Sequence, residues 1–325
     1  MSIKKNISRW VGKLDEVHVE PFLAFGNGKD LLLKGRVISA YKQSRPRAKN
    51  NWLKNLFAAV RRYSVTTLPN VQVNIGLGEN QLVVETDQDG IFEAMMPDPG
   101  ELVSQASFEL DRIPGIKVKD AVLDIQRFYS ERAVISDIDD TILISHSTVI
   151  GKKFWLSVSK NAYTRRPFPG VSDFYQKLTH QGKHPLFYVS SSDWSLFDLI
   201  KDFLRFREIP LGPLLLKDQH VNLKNIWKSG GESHLHKLEK IRMLFSMFPH
   251  TNWVLIGDSG QHDPEIYQEV WMEYPGRILA VVIRVVNPSK QEDEVKRRLE
   301  KFPQFFFVKT TEEAIKVAEK EKLFY

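Results

Sequence analysis

The chain contains 325 residues, with 46 Lys and Arg, 40 Asp and Glu, 42% hydrophobic residues and no cysteine. This length allows about two domains with cores of their own, and the absence of cysteine excludes a disulfide framework. No run of about 18 apolar residues indicates a membrane-spanning helix, and the formal charge of +6 accompanies no recognisable nucleic-acid-binding motif, so no nucleic-acid partner is expected.

The first residues, MSIKKNISRWVGKLDE, do not have the pattern of a signal peptide. They include basic residues, but neither a continuous apolar core nor a small-residue cleavage site. We therefore expect a cytoplasmic protein, which could also bind peripherally to a membrane.

Short apolar runs in the first part of the chain predict a β-rich domain. They are separated by Gly, Pro, Asn and Asp turns, which is typical of an all-β sandwich. Asp89 and Gly90 lie between two such runs and predict a hairpin. We therefore predict a β-sandwich domain over residues 1–129. The runs are DEVHVEPFLAF, DLLLKGRVIS, NVQVNIGL, QLVVETD, GIFEAMM, ASFEL and AVLDIQRF.

The segment YKQSRPRAKNNWLKNLFAAVRRYS interrupts this pattern. Its apolar residues fall on one helical face with basic residues around them, which predicts a basic amphipathic helix. The helix either lies on an anionic bilayer surface, where each nearby basic residue contributes about 1 kcal/mol, or packs across the protein with its charged side in water. The membrane alternative depends on Trp52, Leu56, Phe57, Arg61 and Arg62.

The pattern changes near residues 128–132, and strands alternate with helices over residues 130–325, which predicts an α/β domain with a parallel sheet. In AVISDIDDTI, Asp137 and Asp139 follow an apolar strand directly. The chemistry of open parallel sheets gathers at the carboxyl ends of strands. Taken alone, this segment fits equally a strand followed by an acidic turn, and Asp140 fits an N-cap or an outward turn residue.

Two later segments offer groups that could hold a phosphate. HPLFYVSSSDW is an apolar strand that ends in the hydroxyls of Ser190, Ser191 and Ser192, which could donate hydrogen bonds to phosphoryl oxygens. HLHKLEKIRMLF places Lys237 beside the apolar face of a predicted helix, formed by Leu238, Ile241, Leu244 and Phe245. Read singly, Ser190 fits a capping serine and Lys237 a solvated surface lysine.

A second acidic cluster appears in NWVLIGDSGQHDPE, where Asp258 and Asp263 follow another buried strand. If adjacent strands bring these carboxylates to Asp137 and Asp139, each like-charged pair at about 4 Å costs on the order of 4 kcal/mol at an effective dielectric constant near 20. Such a cluster needs a cation. Oxygen ligands favour Mg²⁺, which is commonly held by carboxylates and substrate phosphate.

In this order, the four elements resemble the four motifs of the haloacid dehalogenase superfamily of phosphatases. The matching elements are DIDDT at Asp137–Thr141, Ser190 after an apolar strand, Lys237, and GDSGQHD at Gly257–Asp263. The chain resembles more closely the actin-patch-associated phosphatidate phosphatase family of fungi and its bacterial relatives. That resemblance covers about residues 130–325 and implies a Rossmann-like catalytic domain. It rests on NAYTRRPFPGV, FYVSSSDW, GPLLLKD, HK, LIGDSGQHDPEIY and PGRILAVVIRVV.

The resemblance also implies the chemistry of the site. Asp137 would attack phosphorus and form an aspartyl-phosphate. Asp139 would protonate the leaving alkoxide and then deprotonate the attacking water. Ser190 and Lys237 would hold and neutralise the phosphoryl oxygens.

The ligands that the resemblance implies for Mg²⁺ are the Asp137 carboxylate, the Asp139 backbone carbonyl and Asp258, with Asp263 in or near the coordination shell. Further residues that could contact the substrate are Thr141, Ser191, Arg165 and Arg166. The two arginines belong to residues 147–170, which the resemblance predicts to form a flap over the site. Asp193 stands where the family would have proline, which puts the substrate preference in doubt.

Three functions remain compatible with the sequence. The first is a Mg²⁺-dependent phosphatidate phosphatase that releases diacylglycerol and phosphate, and its substrate rests on the resemblance. The second keeps the reaction but acts on a soluble phosphomonoester or a phosphoprotein. The third is a non-catalytic lipid or protein adaptor, in which the acidic site is only structural.

Overall fold

A computed structural model describes residues 16–39, 66–112, 114–144, 167–218, 232–286 and 290–324. The described residues up to Tyr129 form one compact unit, and those of 130–217 and from 232 onward form another. The predicted amphipathic helix and the predicted flap therefore stay predictions, because their named residues lie outside the described ranges. Those residues are Trp52, Leu56, Phe57, Arg61, Arg62, Arg165 and Arg166.

The first unit is built from strands in two sheets. The first sheet has the order β5-β2-β1-β7, with β9 also paired to β1, and the second has the order β4-β3-β6-β8. Neighbours are antiparallel except where β7 and β9 run parallel to β1. The strands are β1 (Glu16–Gly26), β2 (Asp30–Ser39), β3 (Gln72–Leu77), β4 (Asn80–Glu85), β5 (Ile91–Pro97), β6 (Gln105–Leu110), β7 (Lys117–Lys119), β8 (Ala121–Asp124) and β9 (Gln126–Arg127).

Both sheets contribute to one apolar core. Leu33 of β2 and Phe92 of β5 belong to the same buried cluster as Val73 of β3 and Phe108 of β6. The ring centroids of Phe92 and Phe108 lie 5.7 Å apart. The alternation of buried and partly exposed residues along β3 produces one core-facing side, as the period of a strand requires.

The hairpin predicted at Asp89 and Gly90 is wrong. A tight turn exists there, in which the Asp87 carboxylate accepts hydrogen bonds from the amides of Asp89 and Ile91. However, β4 before the turn pairs with β3, and β5 after it pairs with β2 in the other sheet. The chain leaves the second sheet at Thr86, whose hydroxyl donates to the Leu68 carbonyl and accepts from a backbone amide.

The second unit contains the predicted parallel sheet. Its order is β12-β11-β10-β13-β14-β15, and every neighbouring pair is parallel. The strands are β10 (Arg132–Ser136), β11 (Leu186–Asp193), β12 (Leu214–Lys217), β13 (Asn252–Asp258), β14 (Ile278–Arg284) and β15 (Phe305–Val308). The helices are α1 (Val171–Leu178), α2 (Phe197–Phe206), α3 (Glu232–Met247), α4 (Asp263–Glu273), α5 (Lys290–Leu299) and α6 (Thr311–Lys320), with a 3₁₀ turn at Trp194–Leu196.

The strand order reverses direction beside β10. The chain proceeds from β10 to β11 and β12 on one side, and β13, β14 and β15 follow on the other side. Open parallel sheets bind ligands outside the carboxyl ends of the strands at such a switch point. The two acidic segments follow β10 and β13, which are neighbours there.

The sheet is buried because its strands are nearly continuous apolar runs, as parallel strands covered on both faces require. The predicted apolar face of α3 is confirmed, since Leu238, Ile241, Leu244 and Phe245 are all buried. The ring centroids of Phe245 and Trp253 of β13 lie 5.1 Å apart in a stacked arrangement. None of the described helices is both long enough and apolar enough to cross a bilayer.

Candidate active site

Asp137 lies directly after β10 at the centre of the sheet. Its amide donates to the Ile256 carbonyl of β13 at 2.9 Å, so the ladder between the two strands extends to this residue. The preceding Ser136 is hydrogen-bonded to the Tyr175 hydroxyl of α1 at 2.6 Å. Strand pairing and this side-chain contact therefore fix the backbone that carries the Asp137 carboxylate.

The turn after Asp137 is compact. The amide of Asp140 donates to the Leu143 carbonyl at 2.8 Å, and Asp140 has a φ of 56°, a left-handed conformation that Asp tolerates better than most residues. Asp140 is thus a turn residue, but it is buried, so the expectation of an outward side chain is wrong. Thr141 is buried too, and its carbonyl accepts a hydrogen bond from Arg284 Nε at 3.2 Å.

Asp258 and Asp263 lie at the end of β13 and at the start of α4. Both are 0% exposed. The Asp258 amide donates to Asp263 Oδ2 at 3.3 Å, and the Gly260 amide donates to Asp258 Oδ1 at 2.7 Å. A Cβ atom at Gly257 would lie 2.5 Å from Asp263 Oδ2 and 2.8 Å from Tyr267. A side chain at position 257 would therefore clash with the Asp263 carboxylate, and glycine avoids this clash.

Three carboxylates and one ammonium converge at this edge of the sheet. Asp137, Asp258 and Asp263 each offer a carboxylate oxygen within 4.8 Å of those of the other two. Lys237 Nζ lies 3.0 Å from Asp137 Oδ1 and 2.7 Å from Asp263 Oδ1. Lys237 is only 2% exposed, so it is not the solvated surface lysine that its segment alone could have indicated.

Burial and mutual repulsion govern the protonation of this cluster. Burial raises the pKa of Asp137 to about 7, against the opposing effect of Lys237 and with further contributions from Asp263 and Asp139. Burial, followed by the neighbouring carboxylates, also raises the pKa of Asp258. Burial alone would lower the pKa of Lys237, but the carboxylates outweigh it and raise that pKa. One lysine therefore compensates the acidic cluster only in part.

The oxygen atoms that Lys237 does not satisfy are suited to a metal ion. Among the described residues, Asp137 Oδ2 and Asp258 Oδ2 are buried and have no hydrogen-bond partner. A buried polar atom without a partner costs about 1–3 kcal/mol, and more when it is charged. A hard divalent cation would satisfy these atoms, and a donor set of carboxylate oxygens suits Mg²⁺.

The serines in the last part of β11 form a second polar group. Ser190 is buried, and its Oγ accepts a hydrogen bond from the Ser192 amide at 3.1 Å. This contact lies within β11 and is not the helix cap that the segment alone could have indicated. It leaves the hydroxyl proton of Ser190 without an acceptor among the described residues. Ser192 Oγ donates to Asp139 Oδ2 at 3.0 Å, an acceptor that the sequence did not indicate. Ser191 is partly exposed.

Asp193, the residue that departs from the family pattern, lies at the end of β11. It is paired in the β11–β12 register with Lys217, and both residues are buried. The register thus places this fifth carboxylate opposite a lysine of the neighbouring strand.

Arg284 is a residue of this region that the sequence analysis did not single out. It ends β14 in register with Asp258 and donates to the Thr141 carbonyl and to Thr311 Oγ1. Its guanidinium carbon lies 4.0 Å from the ring centroid of Phe168. Arg284 thus links the turn after Asp137 to α6 through hydrogen bonds. A lone arginine directly after an apolar strand was the signal that could have identified it.

Comparison with known proteins concerns this second unit. Residues 132–285 match the family model described as "Phosphatidate phosphatase APP1, catalytic domain". The chain is 31% identical over 163 residues to "Phosphatidate phosphatase APP1" of Saccharomyces cerevisiae, which is 49% of this chain and 27% of that protein. It is 29% identical over 156 residues to an uncharacterized protein of Schizosaccharomyces pombe, 47% of this chain and 25% of that protein. The matches thus span about a quarter of these relatives.

Solved structures resemble the chain only weakly. A carbohydrate acetylesterase from Xanthomonas citri has a TM-score of 0.25 and 11% identity, covering 86% of this chain and 73% of that one. A second carbohydrate esterase has a TM-score of 0.22 and 10% identity, covering 89% and 96%. Likenesses of this size bear on neither the fold nor the function.

Proposed function

We propose that this protein is a Mg²⁺-dependent phosphatidate phosphatase that hydrolyses phosphatidate to diacylglycerol and phosphate. The observation that carries the proposal is the buried cluster of Asp137, Asp258 and Asp263 around Lys237, at the carboxyl ends of neighbouring parallel strands. The match of residues 132–285 to a phosphatidate phosphatase catalytic domain supports the choice of substrate.

The proposal includes two domains. Residues 130–325 would form a catalytic domain of the haloacid dehalogenase type, which the parallel sheet and the switch point beside β10 support. Residues 1–129 would form a β-sandwich, which the core shared by the two sheets supports. The division of the described residues into compact units after Tyr129 is consistent with this boundary.

The carboxylates of Asp137, Asp258 and Asp263, together with the backbone carbonyl of Asp139, would hold Mg²⁺. When bound, the ion would offset the repulsion within the cluster and polarise a phosphoryl oxygen of the substrate. Asp137 Oδ2 and Asp258 Oδ2 support this assignment, since both are buried and neither has a hydrogen-bond donor among the described residues.

In the first half of the reaction, an oxygen of Asp137 attacks phosphorus and the ester bond to diacylglycerol breaks. Asp139 donates a proton to the departing alkoxide, so that diacylglycerol leaves as a neutral alcohol. Lys237, whose ammonium lies 3.0 Å from Asp137 Oδ1, attracts the phosphoryl group to the nucleophile. The Ser190 hydroxyl donates a hydrogen bond to a phosphoryl oxygen.

In the second half, water attacks the phosphorus of the aspartyl-phosphate. Asp139, now a carboxylate, accepts a proton from that water, and the bond between Asp137 and phosphorus breaks. Inorganic phosphate leaves, and both aspartates return to their initial states. Dividing the hydrolysis into two displacements lowers each barrier, and the burial of the site strengthens every charge interaction in it.

The substrate of the proposal also favours a membrane surface as a partner. Phosphatidate is a bilayer lipid, so we propose that a cytoplasmic enzyme binds peripherally through the predicted basic helix. The residues proposed for this contact are Trp52, Leu56, Phe57, Arg61 and Arg62. Co-sedimentation with anionic vesicles tests it. Binding that a Trp52, Arg61 and Arg62 triple alanine variant retains in full would contradict this part of the proposal.

Phosphate release from phosphatidate in detergent micelles tests the activity. We expect turnover that requires Mg²⁺, stops in EDTA and falls by at least about 10³-fold in Asp137→Asn, since a nucleophile cannot be replaced by binding alone. Asp173→Asn, on the exposed first turn of α1, is the matched control and should retain activity. Wild-type turnover in a folded Asp137→Asn variant would contradict the proposal.

The alternative substrate classes use the same residues. Comparing phosphatidate with soluble phosphomonoesters and a phosphopeptide on the same preparation ranks them by kcat/KM. A soluble ester preferred over phosphatidate would keep the mechanism and change the substrate. Absence of turnover on every compound would favour the adaptor function instead.

A further inference from the structure

We propose that Ser192 is a positioning residue for Asp139, the acid and base of the proposed reaction, and the inference rests on that proposed function. Ser192 Oγ donates to Asp139 Oδ2 at 3.0 Å, and both residues are 8% exposed. This hydrogen bond connects the end of β11 to the turn after β10. It gives Ser192 a different role from that of Ser190.

The local backbone explains how the two serines come to differ. The register between β11 and β12 shifts between Val189 and Asp193, so the segment that contains both serines departs from regular pairing. Within it, the Ser192 amide donates to Ser190 Oγ at 3.1 Å. The Ser192 hydroxyl is committed to Asp139, while its amide orients the hydroxyl of Ser190.

Asp139 needs such support because of where it lies. It comes from a turn rather than a strand, and the next residue adopts a left-handed conformation. A hydrogen bond from Ser192 selects one orientation of the Asp139 carboxyl group.

Orientation matters because proton transfer requires the acid to lie within hydrogen-bonding distance of the leaving oxygen. A misplacement of about 1 Å can cost on the order of 10²-fold in rate. The loss must depend on the leaving group: an alkoxide needs the proton, whereas p-nitrophenolate leaves readily without one. A residue that instead bound the phosphoryl group would affect both kinds of ester equally.

The experiment compares Ser192→Ala, Ser192→Thr and wild type with Mg²⁺ on short-chain phosphatidate and on p-nitrophenyl phosphate. The constant kcat/KM is measured, since it reports the step that expels the leaving group. We expect Ser192→Ala to lose about 10- to 100-fold on phosphatidate and less than about threefold on the nitrophenyl ester. Ser192→Thr, which retains the hydroxyl, should recover most of the loss.

Ser172→Ala is the control, because it also removes a serine hydrogen bond, to the Glu208 carbonyl, on α1. It should change neither constant. Equal losses of Ser192→Ala on both esters, or no loss on either, would overturn the inference while leaving the proposed function intact. If Ser192→Ala fails to fold, Ser192→Cys, a weaker donor of similar size, replaces it. The loss of kcat/KM on phosphatidate is again compared with the loss on the nitrophenyl ester.

The wild-type measurement comes first and separates the two proposals. A wild type without turnover on phosphatidate or on any alkyl phosphate would refute the proposed function, and the role of Ser192 with it. Turnover by the wild type and its loss in Asp137→Asn establish the reaction, after which only the ratio between the two esters decides the role of Ser192.

Discussion

The first unit places buried or partly buried basic side chains beside carboxylates, whereas the second gathers three buried carboxylates around a single lysine. In the first unit, Lys34 Nζ lies 2.6 Å from Glu93, and Arg127 Nη2 lies 2.8 Å from Asp98. In the second, Lys237 contacts Asp137 and Asp263, with Asp258 close by. Charges are therefore paired in the first unit, whereas the acidic cluster of the second unit is compensated by one lysine only in part.

The two units differ in how completely their buried charges are compensated. Buried charges are tolerated when they are paired and hydrogen-bonded, as Asp98 is. An incompletely paired acidic cluster costs stability, and buried titratable groups with perturbed pKa values are typical of functional sites. The balance of buried charge thus indicates structural ion pairs in the first unit and a candidate cation-binding site in the second.

We expect the largest effect from a substitution within the acidic cluster itself. Lys237→Met leaves three buried carboxylates without their ammonium, so we expect the free energy of unfolding at pH 8 to fall by about 3–5 kcal/mol. Activity should fall by more than about 10²-fold, since the charge beside the nucleophile is lost. Urea titration and phosphate release measure the two effects.

Lys316→Met is the matched control, because Lys316 is exposed on α6. Its effect should stay within about 0.5 kcal/mol. A Lys237→Met variant no less stable than this control would mean that the cluster does not depend on its lysine.

Binding of Mg²⁺ should offset the repulsion among the carboxylates of the second unit and so stabilise the folded protein. It should not affect the ion pairs of the first unit. At 100 times its dissociation constant, an ion that binds only the folded state stabilises it by about 2.7 kcal/mol. Calorimetry with Mg²⁺ and with EDTA should show this shift in wild type. Asp258→Asn should lose the shift, while in EDTA it should be at least as stable as wild type, because it relieves repulsion.

Retention of the full magnesium shift by Asp258→Asn would place the ion elsewhere. An Asp258→Asn protein that is much less stable than wild type in EDTA would instead show that Asp258 supports the fold without metal. Either result would remove the contrast between the two units.

A smaller effect is expected in the first unit. Arg127 Nη2 donates to Asp98 and to the Gly100 and Val103 carbonyls, so Arg127→Met should destabilise the protein by about 1–3 kcal/mol at pH 7. Arg112→Met, which breaks the more exposed pair with Asp120, should cost no more than about 1 kcal/mol. Urea titration compares the two variants.

The pH dependence sharpens this prediction. The hydrogen bond from Arg127 lowers the pKa of Asp98 below its ordinary 3.8. Its contribution to stability is therefore complete above that value and is lost as the pH falls through the folded-state pKa. The difference between wild type and Arg127→Met should be constant from about pH 7 to pH 5 and shrink below about pH 4. A constant difference down to pH 3 would exclude the ion pair as its source.

Sequence reasoning succeeded where the signal was local. The apolar runs before Asp137 and Asp258 predicted strands with carboxylates at their ends, and the spacing of Leu238 and Ile241 predicted the buried face of α3. These predictions hold because burial of a strand or a helix face leaves a periodic pattern in the residues themselves. They brought the acidic side chains to the edge of one sheet, where the structure has them.

It failed where a residue's partner lies far along the chain. Asp89 and Gly90 form a turn, as predicted, but the strands on either side pair in different sheets. The hydroxyl of Ser192 donates to Asp139, 53 positions away, and nothing in the sequence indicated this partner. No local pattern distinguishes these outcomes, because the choice of partner is made by the packing of the whole unit.

The amino-acid sequence by itself determined the parallel α/β character of the second unit and the identity of the acidic residues, and it predicted a cation among them. The tertiary structure decided that Lys237 is buried between two carboxylates, that Ser192 and Arg284 support the turn after Asp137, and that β4 and β5 part into separate sheets. Periodicity is a property of neighbours in the chain. Charge balance and strand pairing arise only when distant segments pack together.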